Sequence, residues 1–87
     1  MPLTELQFNL RITPQTEAMM RRVHAFLHGT DLAYNEEELR DEFGLPRNDK
    51  TLHTAVRELM FLGGVDARGD EGNMYYRYLD PIPEFED

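Results

Sequence analysis

Between Arg47 and Arg57 the chain gathers residue types suited to meeting another macromolecule: Arg47, Asn48, Lys50, Thr51, His53, Thr54 and Arg57. Arginine and asparagine match the hydrogen-bonding edges of guanine and adenine, while lysine and the free amides of a helix start can hold a phosphate. Leu52, Ala55, Val56, Leu59, Met60 and Leu62 recur among them at helical spacing and describe a broad inward stripe. The polar set is therefore the outward side of one helix, with Asn48 or Asp49 as its expected cap and Gly63-Gly64 as its stop. A solvated face that binds nothing is the plain alternative.

A second candidate surface is acidic. Glu36, Glu37, Glu38, Asp41 and Glu42, with Glu84, Glu86 and Asp87 near the carboxyl end, suit a basic protein surface such as a nucleic-acid channel. A solubilising and helix-capping role is the commoner fate of such a run. His24 and His28 stand four apart and can share a helix face, but no third metal ligand accompanies them in sequence, so a structural role is expected. The chain has no Cys, no Ser, no Trp and one Lys, which removes the usual nucleophiles. His53 and the glutamates show no recognisable acid–base spacing. Neither catalysis nor a cofactor is expected.

These residues need elements to position them. Residues from Thr4 to Thr13 alternate, with Leu6, Phe8, Leu10 and Ile12 on one side, as in a half-buried strand. Thr13-Pro14 starts a helix over residues 14–28, and Gly29 ends it. Asp31 to Tyr34 is either a connecting turn or a minimal strand. Asn35 to Glu38 reads as a capping box opening a second helix, which Gly44 and Pro46 terminate. After the third helix, residues 65–68 and 73–79 read as strands around a glycine-bracketed turn. Alternation puts Tyr76 and Tyr78 on one face and Tyr75, Arg77 and Leu79 on the other. Residues 80–87 are expected to form an acidic, extended tail.

This order of elements resembles the winged helix-turn-helix superfamily over roughly residues 14 to 79. Leu59-Met60-Phe61-Leu62-Gly63-Gly64-Val65 looks like the end of a recognition helix entering its first wing strand. Gly72 to Asp80 (GNMYYRYLD) is similar to the second wing strand of small ArsR-type bacterial repressors. The resemblance implies an α+β fold of three helices and a small antiparallel sheet, to which the N-terminal strand is an addition. It implies a regulator of double-stranded DNA, with Arg68 and Arg77 as wing contacts. Thiolate metal sensing is not carried over, because the cysteines are missing. The added strand must pair with the wing sheet or with a second copy, so a homodimer through it or through the first helix is one expected assembly. The alternative within the same fold is a protein-binding inhibitor or adaptor, of the kind phages encode, whose acids meet a basic partner.

At 87 residues the chain suits one domain, expected over residues 1–79 with the tail beyond. No apolar run reaches the roughly 18 residues of a membrane span, and no secretory leader is evident, so a soluble cytoplasmic protein is expected. The net charge of -8 argues against a polyanionic partner. Its distribution softens that argument: residues 40–77 carry six basic against seven acidic side chains, and the rest three against ten. The acidic Asp70-Glu71 at the hairpin turn is awkward for phosphate.

Overall fold

The computed structural model describes residues 13–70 and 73–85. The strand expected from Thr4 onward lies outside the described residues as far as residue 12, and so does any assembly built on it. Helix α1 spans Pro14–His28. Thr13 keeps an extended backbone while its Oγ1 accepts from the Thr16 amide at 3.1 Å, and Pro14 fills the first helical position, where no amide is needed. Met20, Val23 and Leu27 form its fully buried face.

Of the two options for Asp31 to Tyr34, a minimal strand forms: β1 is Tyr34–Asn35. Helix α2, Glu36–Phe43, follows through the expected capping box. The Glu38 amide donates to Asn35 Oδ1 at 2.8 Å, and the Asn35 amide donates to Glu38 Oε1 at 3.0 Å. Gly44, at φ 66°, then turns the chain, and the Leu45 amide closes on the Arg40 carbonyl at 2.8 Å. Helix α3 spans Thr51–Phe61. Strands β2, Val65–Asp70, and β3, Asn73–Tyr78, make an antiparallel hairpin, and β1 pairs with the other edge of β3, giving the order β1-β3-β2. The described residues thus form an α+β fold, with three α-helices and a three-stranded antiparallel sheet among them, an arrangement compatible with a winged helix. Leu39 of α2, Leu52, Ala55, Val56 and Leu59 of α3, Val65 and Tyr76 close the core against α1.

Three details differ from the sequence reading. Lys50 occupies the cap position of α3, one residue later than expected, and makes no side-chain cap bond, while Asp49 still supplies one: the amide of Leu52 donates to Asp49 Oδ2 at 3.0 Å. Met60 is 41% exposed, because it falls three residues after Arg57 and seven after His53 and so shares their outward row. Glu58, an acid, sits on the buried side in its place.

The third difference is the carboxyl segment. Residues 80–85 do not extend into solvent. Ile82 is 2% exposed and belongs to the core, and Pro83–Phe85 forms a single 3-10 turn. His24 Nε2 lies 2.9 Å from the Asp80 carbonyl, Arg21 Nη1 donates to the Phe85 carbonyl at 3.0 Å, and the Arg21 guanidinium stacks over the Phe85 ring. A carbonyl only accepts, so His24 carries its hydrogen on Nε2 and acts structurally. Gly64 makes the seat: a Cβ there would overlap Ile82 Cδ1. Two apolar side chains among acids and prolines, Ile82 and Phe85, dock the segment together with these polar contacts. Ile82→Ala is expected to lower the unfolding free energy in urea by about 2–4 kcal/mol, the cost of an unfilled core position; a change near zero would mean the segment is undocked.

Candidate nucleic-acid interface

Cross-strand register decides where α2 begins. Tyr34 stands opposite Tyr76 and Asn35 opposite Tyr75, so the first residue of α2, Glu36, arrives beside the middle of β3. The outward row of α3 passes the same point. Glu36 Oε2 accepts from Tyr76 Oη at 3.3 Å and lies 2.8 Å from His53 Nδ1, while Oε1 is 3.4 Å from Arg40 Nη2. Around this carboxylate the three elements leave an open groove of about 570 Å³, to which Arg57 and Met74 also contribute. The Arg40 Nε at its wall is buried without a hydrogen-bond partner among the described residues, a local cost.

Tyr76 is 4% exposed. Burial, then the Glu36 charge and its hydrogen bond to the neutral phenol, push the Tyr76 hydroxyl up to about 12, against an opposing pull from Arg57. The sequence showed no acid–base pair for His53. The structure makes one with Glu36, across a separation of 17 residues that only the packing of α2 on α3 closes.

The expected reading residues fall into three groups. Arg47, Asn48, Lys50, His53 and Arg57 are exposed on or just before α3, with Thr51 and Thr54 half-buried between them. Thr54 Oγ1 donates back to the Lys50 carbonyl at 3.2 Å. Among the described residues no ion pair engages Arg47, Lys50 or Arg57. Arg68 is exposed but its Nε is held by Asp66 Oδ2 at 3.1 Å. Arg77 pairs with Asp66 in register, toward the base of the hairpin, whereas Asp70 and Asn73 form the pair at the tip. The hairpin therefore does not bring Arg77 to its tip. Gly69, at φ 139° and with no room for a Cβ beside the Asn73 carbonyl, requires glycine for the tight approach of the two strands.

The acidic set also divides. Glu37, Glu38, Asp41 and Glu42 are exposed on successive turns of α2, with Glu38 also closing the capping box. Glu36 is turned into the groove, its side chain 20% exposed, and does not belong to a free acidic face. Glu84 lies in the 3-10 turn, away from α2 in sequence, and Glu86 and Asp87 are outside the described residues. Among the described residues no group of three or more metal-ligating side chains forms, and no helix is long and apolar enough to cross a membrane.

No known protein family and no curated protein matches the chain. The site's own geometry therefore carries the functional argument. It also makes a spectroscopic expectation. Between pH 10 and 12 the folded chain keeps the Tyr76 proton that the unfolded chain loses, so the unfolded state binds fewer protons and stability falls as pH rises through that window. An ultraviolet tyrosinate titration is expected to show one late phase near pH 12 that disappears in Tyr76→Phe. Persistence of the phase in that variant would assign it to another tyrosine.

Proposed function

We propose that this chain is a non-enzymatic winged-helix regulator that binds double-stranded DNA in the cytoplasm. Helix α3 lies toward the major groove in this reading, and the β2–β3 hairpin flanks it. The observation that carries the reading is the exposed set on α3 and in the turn leading into it, where Arg47, Asn48, Lys50 and Arg57 stand exposed and the three cations make no ion pair among the described residues. Neutralising phosphate is what such uncommitted cations do best, and the nearby amide and imidazole groups suit base edges. Arg68 adds a cation partway along the hairpin, at a position already shared with Asp66.

A second reading is favoured by one particular feature. Glu37, Glu38, Asp41 and Glu42 occupy adjoining positions on one side of α2, exposed, and Asp70 is exposed at the hairpin tip. Such a surface suits a basic protein partner, as an inhibitor or adaptor would meet it. The two readings differ in which side chains make the contact: the cations on and just before α3, or the acids of α2 and the hairpin tip.

Duplex titrations followed by fluorescence anisotropy at 50 to 300 mM salt separate them. For the DNA reading, affinity falls steeply with salt, and Lys50→Ala and Arg57→Ala each weaken binding several-fold while reducing the salt slope by about one. Charge reversal at Glu37 and Asp41 leaves duplex binding intact or strengthens it. Absence of duplex binding at the lowest salt would overturn the DNA reading, and loss of a captured basic partner on that same reversal would support the second.

A further inference from the structure

His53 lies on the open row of α3, close to the helix start, the end from which side chains of a major-groove helix reach base edges. Its side chain is 52% exposed, yet one of its two ring nitrogens is spoken for: Nδ1 sits 2.8 Å from Glu36 Oε2. An ionised carboxylate only accepts, so Nδ1 carries the hydrogen, and in the neutral ring Nε2 is left as a bare lone pair. Glu36 is itself held in place. Tyr76 Oη donates to the same oxygen, Arg40 approaches the other, and the Asn35–Glu38 capping box fixes the turn that carries it. The tautomer of a residue on α3 is thus imposed by α2 and β3.

We propose that Glu36 is a positioning residue for base preference: by fixing the hydrogen on Nδ1, it presents His53 Nε2 to DNA as an acceptor. An acceptor in the major groove selects the exocyclic amino groups of adenine and cytosine, and is repelled by the acceptor edge of guanine. The charged and titratable groups around the ring agree with this role. Glu36, Glu37 and Arg40 of α2, Arg57 of α3 and Tyr76 of β3 line the groove with His53, and Glu36 is the one whose oxygen contacts the ring. This inference rests on the DNA reading above, but the tautomer is measurable without DNA.

Long-range ¹⁵N–¹H correlation spectra of the free full-length chain at pH 8, above the range in which histidines ordinarily titrate, give the first readout. Wild type shows His53 protonated on Nδ1. In Glu36→Gln, whose amide can both donate and accept, the ring becomes a mixture of tautomers. The second readout is selection from a random duplex pool at the same pH. Wild type enriches adenine or cytosine at one position; Glu36→Gln relaxes that position by about three- to tenfold and leaves the others and the salt slope as they were. His53→Ala abolishes the preference there, and its urea midpoint, read beside that of Glu36→Gln, reports what the lost contact costs the fold. A purely structural role for Glu36 would instead weaken all positions together. Wild-type Nε2–H tautomer, or an unchanged preference in Glu36→Gln, overturns this inference alone. Failure of wild type to bind any duplex overturns the base preference together with the DNA reading, while the spectra still report the tautomer.

Discussion

One carboxylate, that of Glu36, is shared by donors from three elements, and the geometry of the candidate interface depends on it. The His53 contact at 2.8 Å is the short, charge-assisted one; the Tyr76 and Arg40 contacts, at 3.3 and 3.4 Å, are longer and weaker. Hydrogen bonds to a charged group are worth about 1.5–3 kcal/mol each when well formed, so the His53 arm is the main polar tie between α2 and α3. The remaining cohesion between these helices is apolar, through Leu39 and Leu52 in the common core. Polar contact fixes orientation here, and burial supplies most of the stability.

The elements that were legible in the sequence are those whose signals are local. Thr13-Pro14, the Asn35 to Glu38 capping box, Gly44 and Gly63 each announce a helix end within a few residues, and each end lies where its signal puts it. Gly63, at φ 79°, sits just past α3, with its amide on the Met60 carbonyl and the next amide on that of Leu59. The alternation of the tyrosines likewise separated buried Tyr76 from exposed Tyr75. What was not legible depends on non-local register. Glu36 reads as one of three equivalent first-turn acids until pairing of Tyr34 with Tyr76 brings it against β3. The docking of Ile82 needs a seat at Gly64, which sequence spacing does not reveal. Met60 lay at the margin of an inward stripe that turned out narrower than its apolar residues suggested.

The distribution of charge now has a spatial meaning. The cations on and just before α3 are exposed and without ion pairs among the described residues, while the exposed acids of α2 begin with Glu37, which lines the same groove as Glu36 and His53. Salt at physiological strength screens exposed charges beyond about 8 Å, so a macromolecule lying on α3 would respond mainly to the nearest side chains and weakly to the net acidity. The same acidity still opposes the approach of any polyanion from a distance. On the DNA reading, affinity therefore depends on close contacts more than on long-range attraction.

The fit of Ile82 against Gly64 joins two positions 18 residues apart into one steric unit. Volume added at one must be removed at the other, because the space between them is already filled by the Ile82 side chain and the His24 ring. A methyl group gained at position 64 therefore calls for a shift or a shrinking of the side chain at position 82, which couples the two positions. The carboxyl segment thus constrains sequence drift at position 64, although it lies outside α1, α2, α3 and the sheet.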